Sequence, residues 1–599
     1  MVASNVYLIM AVRDLCCDEL CVSPFAHLLK GEHAMKDEDL FSHDGPPPIA
    51  SDHERGGDSA HSALSSAHTA PQEAPVLAHP LKTERRLIAR HPLRLLLVAM
   101  MVVVLVALAG GYSIFRAVVP PSHPVSSAFQ QAHCPFPLGA GLVEGQNVKC
   151  GFLVVPEGRS LPKGPTIRLA VAIFKTPSSQ RDPDPVLFLS GGPGLPLLER
   201  MGPTFNAGNL VGSLQNRDLI LLDQRGTGYS QPSLACPEVN AAQYTILDER
   251  LSLDARAALE VQAARTCHNR LVSAGIKLNA YNTLENAADV HDLVRALGYK
   301  QVNLYGISYG TRLALTVMRL FQADLRSVVL DSVIPPQVNG FTSIPPAALR
   351  AFDVLFQGCA ADPSCNATYS HLQAVFYQLV ADLNTTPITF DTTLQTGKSV
   401  TVHFTGNDLV LWLQQSLYRT QLISQLPAVI FRIRSHDYEQ LVSILGNLID
   451  DTMSWGMFYS VMCGEDAAFT TPQVLKTSIQ GLQPQAQPAL LAIVMSWFSV
   501  CQVWGVKPVP AIQKEPVRST IPTLILQGEY DPVTPPTNGM LAAQTLSKHY
   551  FFLFPGVGHS VADSDIGTCP TDITNAFLEN PAEKPNASCI SSMHEPFFT

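Results

Sequence analysis

Charge is scarce in this sequence. Asp, Glu, Lys and Arg make up only 15% of its 599 residues, and 50 acidic residues against 40 basic ones leave a net charge of −10. Basic residues crowd together only once, around residues 82–94, so the broad positive face that a phosphate backbone requires is missing and nucleic acid is excluded as a partner. Metal signatures are missing too. There is no H-E-x-x-H and no paired C-x-x-C, so neither a metalloprotease site nor a zinc ribbon is expected. Gly397-Lys398-Ser399 ends like a phosphate-binding P-loop, but Thr392 stands where its first glycine belongs, which rejects that reading. No cofactor and no metal is expected.

Apolar side chains are plentiful, at 46% of the chain, enough for a sizeable core. One run, "LLLVAMMVVVLVALAGGY" (residues 95–112), carries no charge and continues apolar through Phe115. A helix of that length spans a bilayer, which predicts a signal-anchor over 95–115. Lys82, Arg85, Arg86, Arg90 and Arg94 flank its N-terminal side, while Arg116 is the only early positive charge after it. The positive-inside rule then puts the N-terminus in the cytoplasm and everything beyond residue 116 outside it. Cleavage after Ala109 is the alternative and would give a secreted protein; the apolar run exceeds a usual signal-peptide core and favours the anchor. Before the span, residues 35–90 are rich in Pro, Ser, Ala, His and acid, so 1–94 reads as a largely disordered cytoplasmic tail.

Cysteine usage divides at the same place. Three cysteines precede the span and ten follow it: Cys134, Cys150, Cys236, Cys267, Cys359, Cys365, Cys463, Cys501, Cys569 and Cys589. An even number in an exported domain suggests five disulfides. Pairing of neighbours in sequence order is the simplest arrangement, although spacing does not prove it.

Beyond residue 130 short apolar runs alternate with helical periods. The runs are 186–189 (VLFL), 218–223 (DLILLD), 302–304, 328–330, 523–526 and 551–554, of the kind that form buried parallel strands. Val290, Leu293, Val294 and Leu297 fall on one helical face that Gly298 can close, and Leu313, Val317, Leu320 and Phe321 repeat the spacing. The pattern predicts an α/β sheet in two parts, 130–340 and 506–599. Residues 341–505 are dominated by helical patterns and are expected to form a cap over the sheet.

The chemistry gathers in loops that follow strands. Gly306-Ile307-Ser308-Tyr309-Gly310 is a G-x-S-x-G between a strand and a helix, the setting of a nucleophile elbow. A serine hydroxyl needs a base to take its proton. His559, in "GVGHS", is the candidate base, and Asp531, in "YDPVTPP", is the candidate acid that orients it. The order Ser, Asp, His along the chain is that of α/β-hydrolases. Oxyanion donors are expected from the backbone N–H groups of Tyr309 and of Gly192 in "SGGPG", with Gly191 as the alternative to Gly192.

These segments resemble a known family. "LSGGPG", "DLILLDQRGTGYSQP", "ADVHDLVRALGYKQVNLYGISYGTRLAL", "SVVLDSVIPP" and "PTLILQGEYDPVTPP…GVGHS" are together similar to the prolyl and tripeptidyl aminopeptidases, the tripeptidyl branch fitting better. The resemblance covers most of residues 130–599 and implies an α/β-hydrolase fold with a helical cap. It implies the nucleophile, acid and base roles for Ser308, Asp531 and His559, and a structural role for Arg225. It further implies peptide substrates with a free N-terminus, whose ammonium is read by acidic cap residues, here Glu465 and Asp466 in "VMCGED". One departure is Ser190, where the family has the histidine of H-G-G-P-G. An esterase or lipase on the same triad is the competing function, since fold and triad do not fix the acyl group. A non-enzymatic binding module is the third reading, and it usually lacks a triad residue.

Overall fold

The computed structural model describes residues 127–160, 164–207, 216–394, 397–446, 451–564, 567–593, 596 and 598. The predicted tail and the signal-anchor at 95–115 lie outside the described residues.

The described chain is built on a nine-stranded mixed sheet. Its strands are β1 (Ala128–Gln131), β2 (Val148–Pro156), β3 (Thr166–Phe174), β4 (Val186–Leu189), β5 (Leu219–Leu222), β6 (Val302–Ile307), β7 (Leu325–Asp331), β10 (Thr523–Gly528) and β11 (His549–Phe554). They lie in the order β1-β2-β3-β5-β4-β6-β7-β10-β11. β1, β2, β3 and β5 pair antiparallel in turn, whereas β5, β4, β6, β7, β10 and β11 pair parallel. All six apolar runs predicted as strands are in the parallel part. β4, β5, β6 and β10 are short, almost wholly buried and continuously apolar because helices cover both faces. On one face lie the helices Thr283–Ala296 and Tyr309–Leu320, through Val290, Leu293, Leu313 and Val317. On the other face Leu197, Leu198, Ile573 and Phe577 pack from the helices Leu197–Met201 and Cys569–Glu579.

β7 and β10 are hydrogen-bonded neighbours, yet the chain between them runs from residue 331 to 523. This excursion is largely helical, as expected, and has its own apolar core around Phe352, Phe376, Trp412 and Ile430. It also holds a β-hairpin that helical periodicity did not reveal, β8 (Ile388–Thr393) with β9 (Ser399–Phe404). The rejected P-loop glycine, Gly397, sits in its turn with φ +80°. The ten cysteines after the apolar run pair in sequence order: Cys134–Cys150, Cys236–Cys267, Cys359–Cys365, Cys463–Cys501 and Cys569–Cys589.

One described helix, Gln487–Trp504, is long and apolar enough to cross a membrane by length and composition. Its Val494, Val500 and Trp504 are buried, and Cys501 bridges to Cys463 on a neighbouring helix. Those residues pack in an apolar cluster shared with Ala264, Cys267 and Leu271 of the helix Leu253–Ser273.

Candidate active site

Parallel strands deliver their following loops to one edge of the sheet, and the candidate residues lie there. Ser308 is the single residue between β6 and the helix that opens at Tyr309, with φ 57° and ψ −123°. A side-chain-bearing residue rarely adopts this conformation, and it is held here from both sides. Ser308 N donates to the Asp331 carbonyl (3.0 Å), and the flanking glycines allow the sharp crossing. A Cβ on Gly306 would lie 2.5 Å from the Gly310 carbonyl oxygen, and one on Gly310 would lie 2.0 Å from that of Leu189.

Asp531 and His559 meet after β10 and β11. His559 Nδ1 is 2.9 Å from Asp531 Oδ2, with Asp531 fully buried. Asp531 Oδ1 accepts from the backbone N–H of Val533 and Thr534 (2.9 and 2.8 Å), and Oδ2 accepts from the Thr534 hydroxyl (2.6 Å). Burial alone would raise the Asp531 pKa, but the facing imidazole and the Thr534 hydrogen bonds hold it below the usual carboxylate value.

The "SGGPG" loop reaches the same edge. A Cβ on Gly191 would lie 2.9 Å from Ser308 Cβ and 3.3 Å from its Oγ, so Gly191 is the glycine pressed against the serine. Gly192 follows with φ +104°. Neither the Gly192 nor the Tyr309 N–H has an acceptor among the described residues. The "DQRGTG" block holds this loop. Asp223 accepts from Leu197 N and Leu198 N (2.7 and 2.9 Å) and from Tyr229 N (2.8 Å), while Gln224 Nε2 donates to the Ser190 carbonyl (2.9 Å). Burial pushes Asp223 up to about 6 against those three donors. Ser190, the departure from the family pattern, turns its hydroxyl inward to the Leu195 carbonyl (2.8 Å). Arg225 is fully buried and donates twice to Asp289 (2.7 Å each) and to the carbonyls of Glu157 and Ala280, which is a structural role.

The acidic cap candidates are placed differently. Glu465 is 4% exposed, and Asp466 is not exposed at all. Glu465 accepts from Thr283 N (2.7 Å) and from the Thr283 hydroxyl (2.8 Å). That hydroxyl has one proton, so the Tyr309 hydroxyl at 2.8 Å donates to Thr283, completing a chain from Tyr309 through Thr283 to Glu465. Burial raises the pKa of Glu465, only partly opposed by Arg312 at 3.9 Å. Asp466 accepts from Arg312 (3.1 Å) and Lys514 (2.7 Å); burial would raise its pKa, but the two cations hold it below its usual value.

Sequence reasoning missed Asp331, at the end of β7. Its side chain accepts from Val561 N (2.8 Å), Ala562 N (2.9 Å), the Ser332 hydroxyl and the Tyr305 hydroxyl (3.2 Å each). Together with its carbonyl bond to Ser308 N, this ties the Ser308 turn to the stretch after His559. The available signal was an acid directly after a predicted strand, the same signal that singled out Asp531.

Comparison with known families bears on this geometry. Residues 184–565, well over half of the chain, match the alpha/beta hydrolase fold model. The chain belongs to the alpha/beta hydrolase fold family. Among curated relatives of this hydrolase, the Escherichia coli (strain K12) protein YuaR, named provisionally as a hydrolase, is 25% identical over 468 residues, 74% of this chain and 88% of its own. The tripeptidyl aminopeptidase of Streptomyces lividans is 30% identical over 200 residues, 32% of this chain and 36% of its own. Serine protease Hip1 of Mycobacterium tuberculosis (strain ATCC 25618 / H37Rv) is 26% identical over 222 residues, 36% of this chain and 42% of its own. The matches to the two named peptidases thus span well under half of their lengths. The proline iminopeptidase crystal structure from Mycobacterium smegmatis aligns over 72% of this chain and 98% of its own, at 15% identity and a TM-score of 0.34, too low to add to the fold assignment. The hydrolase is a serine hydrolase with relatives named as peptidases.

Proposed function

We propose that this hydrolase is a membrane-anchored serine exopeptidase that cuts peptide bonds near free N-termini outside the cytoplasm. The observation that carries the reading is the buried Asp531–His559 pair at the same sheet edge as the strained Ser308. With Nδ1 facing Asp531, Nε2 is the nitrogen proposed to take the Ser308 proton. Ser308 Oγ then attacks the scissile carbonyl. Negative charge develops on the carbonyl oxygen, toward which the N–H groups of Gly192 and Tyr309 are proposed to donate. His559 returns the proton to the leaving amine, and an acyl-enzyme remains on Ser308. A water activated by the same imidazole releases the acyl product.

The peptidase names of two relatives support an amide rather than an ester substrate. The anchor is proposed at 95–115, with its positive flank in the cytoplasm, and five disulfides suit a catalytic domain in an oxidising compartment. Of the two acidic candidates, Glu465 is the one proposed to read the substrate ammonium. Its close partners are neutral, whereas Asp466 is already paired with two cations.

Two measurements test this. A fluorophosphonate probe should label the full-length protein and fail to label Ser308→Ala. Tripeptide p-nitroanilides with a free amine should be cleaved, and their N-acetylated forms should not. Cleavage of acyl esters with no turnover of any free-amine peptide would replace this reading with the esterase.

A further inference from the structure

Five consecutive backbone N–H groups around the proposed base are each bound, and the partners change sides at the base itself. Gly558 N donates to the Thr420 hydroxyl (3.1 Å) and His559 N to the Tyr418 carbonyl (3.1 Å). Both acceptors belong to the cap: Tyr418 in the turn after the helix Gly406–Ser416, and Thr420 at the start of the short helix Thr420–Ile423. Ser560 N donates to the Ser332 hydroxyl (2.8 Å), Val561 N to Asp331 Oδ1 (2.8 Å) and Ala562 N to Asp331 Oδ2 (2.9 Å). Those acceptors belong to the end of β7 in the core. Ser560, at the changeover, has φ 68°, a conformation that persists only when surrounding contacts over-determine it.

The cap comes closer than hydrogen bonding requires. A Cβ on Gly558 would lie 2.3 Å from the Leu417 carbonyl oxygen, so only glycine admits this approach. The Tyr418 ring stands edge-on to the His559 ring, with centroids 4.9 Å apart at 63°. The cap also reaches the acid, since Arg350 Nη2 donates to the Asp531 carbonyl (2.8 Å).

We propose that Tyr418 and Thr420 are positioning residues for the base, and that His559 is set for proton transfer only while the cap segment 417–420 is seated on the core. This rests on the triad reading. Lifting the cap removes both hydrogen bonds that precede the changeover and the ring that flanks the imidazole, and leaves the three core bonds. The backbone at the base is then held from the core side alone, and a displacement of about an ångström at a proton-transfer centre costs orders of magnitude in rate. Seating of the cap over a bound peptide thereby completes the catalytic group, which couples substrate enclosure to chemistry.

The test uses the full-length protein and four variants. Thr420→Val removes the hydroxyl at nearly constant volume, and Thr420→Ser restores it. Tyr418→Leu removes the ring and keeps the carbonyl. His559→Ala is run alongside. The readouts are kcat and KM on a free-amine tripeptide p-nitroanilide, the fluorophosphonate labelling rate of Ser308, and the melting midpoint. Thr420→Val and Tyr418→Leu should each lower kcat and the labelling rate by about 10-fold with KM within about twofold, and Thr420→Ser should recover most of the loss. Unchanged kcat and labelling in both variants, with His559→Ala inactive, overturns the clamp and leaves the triad standing. So does a loss that follows a lowered melting midpoint and is not recovered by serine. Near-normal turnover in His559→Ala overturns the triad reading itself.

Discussion

Asp531 in the core and Glu465 in the cap are both buried carboxylates that accept a backbone N–H and a hydroxyl from one threonine, yet their protonation is pushed in opposite directions. Asp531 faces an imidazole and is held below its usual value; Glu465 faces neutral donors, with its nearest cation 3.9 Å away, and is held above. Asp466, next in sequence to Glu465, sides with Asp531 because two cations touch it. Burial acts on all three in the same sense, so the identity of the partner decides the outcome. The lesson is one of function. In the proposed roles, a carboxylate facing an imidazole serves the base, one held by Arg and Lys serves the fold, and one facing neutral donors is left for an incoming cation, which would favour its charged form.

The strongest way to break this comparison is at the core. Ser308→Ala and His559→Ala should each lower turnover on the order of 10⁴-fold or more, measured as kcat on a cleavable anilide, with unchanged circular dichroism. Asp531→Asn should cost on the order of 10³–10⁴-fold, because the amide no longer fixes the tautomer or supports the imidazolium. A wild-type rate in Asp531→Asn would leave Asp531 no different in role from Glu465.

Asp466→Asn should act on stability instead, leaving Lys514 without its contacting carboxylate and Arg312 with only Glu465 at 3.9 Å, at a cost of about 3–5 kcal/mol by denaturant titration. The pH sign follows from its lowered pKa. The contribution of Asp466 is complete above the unfolded carboxylate pKa, about 3.9, and fades as pH falls through its lower folded value. The variant should therefore have a flatter acid limb of stability against pH than the parent, and identical limbs would count against the ion pairs. Opening the Cys463–Cys501 bridge, which ties two cap helices, should lower stability by about 2–5 kcal/mol, read as a melting shift in Cys463→Ala/Cys501→Ala.

Glu465→Gln carries the smallest expected effect and separates the cap's carboxylates most finely. The amide oxygen can still accept from Thr283, so folding should be preserved. KM for free-amine peptides should rise by about 10-fold with kcat nearly unchanged, while hydrolysis of uncharged esters stays as it was. A uniform loss on both substrate classes would assign Glu465 to holding Thr283 and Tyr309 rather than to the ammonium.

The parallel half of the sheet was legible because its strands are buried on both faces and read as unbroken apolar runs. β2 and β3 were passed over although they are the longest strands. β3 carries a comparable apolar run, Leu169 to Phe174, and β2 a shorter one, Phe152 to Val155, but no chemistry-bearing loop drew attention to their ends. The cap's helical character was legible from periodicity. Its hairpin was not, because Thr389, Asp391, Thr393, Ser399 and Thr401 give β8 and β9 a polar face and little apolar weight. The candidate triad was legible because each member follows a strand. Asp331 obeys the same rule and was passed over, since an acid that binds backbone N–H groups has no motif.

The sequence alone determined the alternation of strand and helix, the elbow around Ser308 and the even set of cysteines after the apolar run, because these depend on local apolar periodicity, on glycine spacing and on counting. Tertiary structure decided which carboxylate faces an imidazole, which faces Arg and Lys, and which faces a threonine. It also brought Tyr418 against a histidine, and Thr420 against the glycine before it, each about 140 positions away. Those outcomes depend on what packs against each group across the fold, and protonation and position both follow from such neighbours, which no local pattern encodes.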